Sequence, residues 1–168
     1  AEQYFALATM DEAQATPVRG HLTLRVTRSG LLEPIITLDM TSYVAGSLLA
    51  EMPASFGREA LKAQAVAIRT FTSYQVLRQR RQGATPRPFD VQSSVADLRY
   101  GGTPFEQPIA WQVARDTAGQ VLVYRGQLFP TYFHSTSGGA TISSATYFNM
   151  FADFPPLQGG VASPSDAS

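Results

Sequence analysis

One glutamate in this chain stands where a carboxylate could do acid–base work. Glu51 ends the apolar stretch from Val44 to Leu49 and is followed by Met52 and Pro53. Proline cannot continue a helix, so Glu51 falls on the last turn of one. The helix dipole at that end and the apolar neighbours Leu48, Leu49 and Met52 both disfavour an ionised carboxylate. A carboxylic acid held protonated near neutral pH is what protonation of a glycosidic oxygen requires. The competing reading is a solvated glutamate on an exposed last turn, the common setting for this residue type.

Three polar residues interrupt the alanine-rich segment that follows: Lys62, Gln64 and Arg69. Lys62 and Arg69 are seven residues apart and share one helix face. Either Lys62 pairs with Glu59 and Arg69 caps carbonyls, or both point at a carboxylate or a sugar; the spacing leaves both open. Further along, His134-Ser135-Thr136-Ser137-Gly138-Gly139 offers a histidine followed by small, donor-rich residues, suited to the rim of a sugar site. A serine hydrolase using Ser137 and His134 can be drawn, but the Gly-x-Ser-x-Gly elbow is missing. A lone histidine beside a strand end is commonly structural. Phosphate-loop and dinucleotide fingerprints are also missing, which argues against nucleotide cofactors.

Composition narrows the classes further. The chain has 168 residues, 44% hydrophobic and 15% charged, with thirteen basic residues against thirteen acidic ones. Zero net charge gives no electrostatic footprint for nucleic acid or anionic lipid. The absence of cysteine excludes a disulfide framework, a thiolate zinc site, an iron–sulfur cluster and a cysteine nucleophile. With His21 and His134 as the two histidines, no His-x-x-x-His pair exists. No apolar run is long enough for a membrane span. The first residue is Ala1 with no basic leader, which reads as a processed chain with any signal or anchor outside it.

The elements that must position these residues follow from periodicity. His21 to Thr27 alternates apolar and polar side chains and Ile35 to Leu38 is a second apolar run, so 18–39 reads as a hairpin of half-buried strands. Asp39-Met40-Thr41-Ser42 opens a helix, with Thr41 or Ser42 as its cap, that stops near Met52. A second, capped by Ser55, runs from about Phe56 to Gln82; its alanine-rich first half marks it as the buried centre of the domain. Phe89-Asp90-Val91 reads as a short strand, and Pro108 starts a helix reaching about Ala118, with Gly119 as its C-cap. Residues 120–124 and 127–133 form a hairpin turning at Arg125-Gly126. The expected fold class is α+β: a central buried helix and shorter helices packed on antiparallel strands and hairpins. The divisions are 1–17 unassigned, 18–156 the domain, and 157–168 a flexible tail.

The segment Tyr43-Val44-Ala45-Gly46, Ala50-Glu51-Met52-Pro53-Ala54-Ser55 and Glu59 to Thr70 closely resembles the signature of the stage II sporulation protein D family (SpoIID/LytB). Ala114 to Leu122 looks like its "ATRGQVL" region, and Tyr132 to Thr141 like its "HSSSGG-T" region. The resemblance implies a lytic transglycosylase acting on peptidoglycan. Such an enzyme cleaves the β-1,4 bond between N-acetylmuramic acid and N-acetylglucosamine, on strands stripped of stem peptides, and leaves 1,6-anhydro ends. It makes Glu51 the catalytic residue. By motif position it makes Lys62, Gln64, Arg69, Tyr132, His134, Ser135, Ser137 and Gly138 the substrate-binding set, with Lys62 or Arg69 available for the muramic carboxylate. No cofactor is implied. Some relatives carry a cysteine–histidine zinc site, which a cysteine-free chain lacks the thiolates to build. The implied partners are glycan strands and a cell-wall amidase, and the implied location is outside the cytoplasm. The alternative is a non-catalytic glycan-binding or amidase-enhancing module.

Overall fold

The computed structural model describes residues 16–81, 87–94, 97–148 and 154–163, together with the backbone of 4–7. Strand β1 (Tyr4–Leu7) pairs antiparallel with β2 (Thr16–Arg19), and β3 (His21–Val26) with β4 (Leu32–Thr37). Helices α1 (Met40–Glu51), α2 (Arg58–Arg81) and α3 (Pro108–Asp116) pack together. A small hairpin of β5 (Val123–Tyr124) and β6 (Gln127–Leu128) follows, then α4 (Ser144–Phe148). The fold is α+β: among the described residues the named strands form two-stranded antiparallel pairs beside a helical core.

Helix α1 takes the central place. Ser42 through Leu48 are buried in unbroken succession, so the helix is covered on every side. Ala45, Gly46 and Ser47 supply the small surfaces that let neighbours approach. Helix α2, the expected centre, buries a stripe through Leu61, Ala65, Ile68 and Phe71 and exposes Ala63 and its terminal arginines. Val44, Leu48, Leu61 and Ile68 meet Ala110, Val113 and Ala114 of α3 in one apolar cluster.

Local chemistry sets the helix starts differently from the expectations above. Asp39, rather than Thr41 or Ser42, caps α1. Its carboxylate accepts the amides of Thr41 at 2.9 Å and Ser42 at 3.0 Å, and the Ser42 hydroxyl at 2.6 Å. Burial opposes its ionisation, but these donors outweigh it and hold the group below its ordinary value of 3.8. Ser55 lies in a 3-10 turn (Ala54–Phe56), and the left-handed Gly57 (φ 88°) separates that turn from α2. Phe89–Val91 forms bends instead of a strand. The β3–β4 pair forms as expected, but its apolar face is open: Leu24 and Leu32 are 59% and 67% exposed. Alternation tells which residues share a face, not whether anything covers it. Arg125 and Gly126 both adopt positive φ, giving the two-residue turn that matches strand twist. Within the stretch expected to be a flexible tail, the amides of Gly160 and Ser163 bond the carbonyls of Thr141 and Gly139 at 2.8 Å.

Residues 97–101 lie along α1 and lock to it. The Gly101 amide donates to the Gly46 carbonyl at 2.9 Å. The Tyr100 ring stacks on Tyr43 at 5.8 Å and fills the space where a Gly46 side chain would stand. At the end of the helix the Arg99 amide donates to Glu51 Oε1 at 3.0 Å. Beyond Tyr100, Glu106 is 2% exposed and pairs with Arg19 of β2 at 2.7 Å, while the Arg19 guanidinium stacks over Trp111 at 5.0 Å. These contacts tie the first strands and the start of α3 to the same segment.

Two stability outcomes follow. Asp39→Ala should cost about 1 kcal/mol at neutral pH by chemical denaturation. Because the folded-state pKa is lowered, that contribution is present above 3.8 and fades as pH falls through the lower folded value. The gap between wild type and variant should therefore close in strong acid. Gly46→Ala places a methyl 2.4 Å from the Tyr100 ring. It should cost about 1–3 kcal/mol and shift the near-ultraviolet signal of the stacked tyrosines.

Candidate active site

Glu51 sits at the C-terminal end of α1, half-buried, with the extended Met52 and then Pro53 turning the chain away. One carboxylate oxygen is held by the Arg99 amide. Ser47 and Tyr43 lie one and two helical turns back on the same side of α1. The Tyr43 hydroxyl is buried beside Ser47 and Thr72 without forming a hydrogen bond to either. Burial pushes its pKa up to about 12, and the charges of Asp97 and Glu51 add to that shift. Both carboxylates therefore lie within electrostatic reach of one phenol.

A cleft of about 640 Å³ opens beside this segment. Phe71, Gln75 and Arg78 of α2, Arg87, Phe89 and Gln92 of the following loop, and Asp97 form its walls, with Tyr132 and Phe148 over them. Phe71, Gln75 and Arg78 recur at helical spacing and so share one face. Tyr132 packs on Phe148 at 4.4 Å and on Phe71 at 5.9 Å, and burial raises its pKa. Asp97 accepts from Gln75 Nε2 at 3.2 Å through Oδ1 and from the Gln92 amide at 2.9 Å through Oδ2. Glu51 is not on the cleft wall itself. It joins the cleft through the backbone: Arg99, whose amide it binds, is two residues, at most about 7 Å of chain, beyond Asp97.

The residues singled out from the sequence distribute unevenly around this site. Tyr132 lines the cleft. Lys62 pairs with Glu59 at 2.8 Å across one turn of α2. Arg69 is 4% exposed and turns into the core. There it donates to the Ala114 carbonyl at 3.1 Å, the Thr117 hydroxyl at 3.3 Å and the Gln120 carbonyl at 3.2 Å, closing the end of α3. Of the two alternatives that spacing had left open, both cations take the structural one: Lys62 pairs with its neighbour Glu59, and Arg69 bonds carbonyls across the fold. Gln64 is buried, its Nε2 without a hydrogen bond among the described residues. His134, Ser135 and Gly138 are exposed on the loop after Tyr132, and Ser137 is half-buried. No hydrogen bond joins His134 to Ser137, as a serine nucleophile would need.

Asp97, Gln75, Gln92, Arg78 and Arg87 escape a reading of the sequence. Arg78 reads there as a helix-terminus cation, and its helical spacing from Phe71 is the one signal that could have placed it. Asp97 has no such signal, because its partners Gln75 and Gln92 come from separate segments.

Comparison with known proteins adds the lineage. Residues 28–124 match the family model SpoIID, described as stage II sporulation protein. The chain is 32% identical to stage II sporulation protein D of Bacillus subtilis over 69% of its own length and 37% of that protein's. It is 37% identical to an uncharacterized protein of Brachyspira hyodysenteriae, over 74% of this chain and 32% of that one. A third similarity, 36% identity over 56% of this chain and 12% of the other, is to an amidase enhancer of Bacillus subtilis. The chain thus spans about a third of the length of the first relatives it matches. With the family model covering more than half of its residues, including α1, Glu51 and the clamping segment, the chain belongs to the SpoIID family.

Proposed function

We propose that the chain is a peptidoglycan lytic transglycosylase domain acting outside the cytoplasm on glycan strands, with Glu51 as its single catalytic carboxylate. Family membership and the similarity to an amidase enhancer support a role at the bacterial cell wall. The position of Glu51 carries the reading. It is the half-buried carboxylate whose Oε1 is fixed by a backbone amide while Oε2 has no hydrogen bond among the described residues. Protonated at Oε2, it donates to the glycosidic oxygen as the bond to the muramic C1 breaks. The carboxylate left behind then accepts the proton of the same sugar's C6 hydroxyl as that oxygen closes on C1. The ring closure uses an internal hydroxyl, so no second carboxylate has to activate water. Asp97 suits this arrangement, since both of its oxygens are engaged by protein donors.

A second reading, a glycan-binding module that enhances an amidase, draws on the amidase-enhancer relative. The two separate on one residue. Glu51→Gln keeps the shape and the Arg99 hydrogen bond but removes the acid. Release of anhydro-ended fragments from denuded strands, followed by mass spectrometry, should fall about a hundredfold or more, with melting unchanged. Retention of full biological activity by that variant would favour the enhancer instead. Two controls probe the cations. Lys62→Met should leave turnover and stability nearly unchanged, because a largely solvated pair is worth little. Arg69→Met should lower stability by about 1–3 kcal/mol by leaving the carbonyls at the end of α3 unpaired.

A further inference from the structure

The cleft lined by Asp97 carries positive charge that its own walls do not consume. Arg78, from the last turn of α2, and Arg87, from the loop beyond it, reach the same cavity from two segments, and both are exposed. Neither forms an ion pair or hydrogen bond with another of the described residues. Asp97 is the acidic residue on the lining, and it is taken by Gln75 and Gln92, with no ion pair to either arginine. The same cavity is lined by Phe71, Phe89, Tyr132 and Phe148. Aromatic rings and exposed guanidinium groups lining one cavity make a surface suited to a sugar that bears a carboxylate: ring faces rest on the aromatics, and the fork of a guanidinium matches the two oxygens. A volume of about 640 Å³ lies in the range of a small-ligand site.

We propose that this cleft is a carboxylate-reading sugar subsite, in which Arg78 and Arg87 bind the ether-linked carboxylate of a peptide-free muramic acid residue. The assignment rests on the reading of the substrate as a glycan strand. It moves recognition of that carboxylate from Lys62 and Arg69, which are paired elsewhere, to two arginines at the cleft. It also supplies a physical cause for selectivity: a stem peptide turns the carboxylate into an amide, which has neither the charge nor the second acceptor oxygen. Asp97, on the wall of this subsite, is two residues from Arg99, whose amide binds Glu51.

The test is calorimetric binding to the Glu51→Gln protein, which holds substrate without turning it over. The probes are a tetrasaccharide of alternating N-acetylglucosamine and N-acetylmuramic acid with free carboxylates, and the same molecule with those carboxylates converted to methylamides. The free acid should bind about tenfold or more tighter in low salt, as charge-assisted hydrogen bonds imply. Adding Arg78→Gln and Arg87→Gln should reduce that preference to near unity, while Arg78→Lys with Arg87→Lys should restore part of it. A preference that survives the glutamine pair, or no preference in the Glu51→Gln parent, would overturn the assignment. The catalytic reading is judged separately by product analysis of the unaltered chain. If no anhydro ends form but the arginine-dependent preference holds, the transglycosylase reading fails and the subsite stands; anhydro release without the preference is the reverse.

Discussion

Everything near Glu51 depends on how closely residues 97–101 can lie against α1. The contact exists because residue 46 has no side chain. The Gly101 amide reaches the Gly46 carbonyl, and the Tyr100 ring fills the space above it. Once that segment is seated, the amide two residues earlier arrives at Glu51 Oε1. A backbone donor has little freedom to adapt, so the carboxylate takes its orientation from the helix and the clamp together. The clamp also brings Asp97 to the mouth of the cleft, so one packing decision sets both the glutamate and the wall beside it.

The core around this device is assembled from small residues and a few committed polar ones. Helix α1 is covered on all sides, which its run of alanine, glycine and serine allows. Helix α2 reaches out from that core with side chains that also hydrogen-bond. Arg69 closes the end of α3, Thr70 accepts the Leu122 amide at 2.9 Å, and the Ala67 carbonyl accepts the Thr131 hydroxyl at 2.8 Å. These bonds hold the segment that leads to Tyr132. The same helix thus builds the core with one part of its surface and the cleft with Phe71, Gln75 and Arg78. A buried guanidinium bonded to carbonyls is the physical opposite of one left free for a ligand, which is why Arg69 and Arg78 part company on one helix.

Much of this is legible in the residues. Pro53 ends α1 at Glu51, Pro108 begins α3, and Arg125-Gly126 turns the last hairpin, because each rests on a local steric rule. Family resemblance singles out Glu51 as the residue proposed to be catalytic. What cannot be read locally is which partner a polar group meets across the fold. Lys62 and Arg69 share a helix face, yet one stays with its neighbour Glu59 and the other is captured by a helix that begins at residue 108. Asp97 and Arg87 belong to irregular segments without periodicity, so nothing in their spacing announces a common cavity. The open apolar face of β3–β4 illustrates the same limit: a two-residue period records a shared face and is silent about its cover.

In the proposed mechanism a single carboxylate serves first as acid and then as base, with no water in the step. Cleavage of denuded glycan strands in water enriched in oxygen-18, read by mass spectrometry of the new ends, tests this most directly. The expected products are one water lighter than hydrolysis would give, end in anhydro-muramic acid and carry no heavy oxygen. Heavy oxygen at the cleaved end would make the chain a hydrolase with a second, water-activating group, and would contradict it.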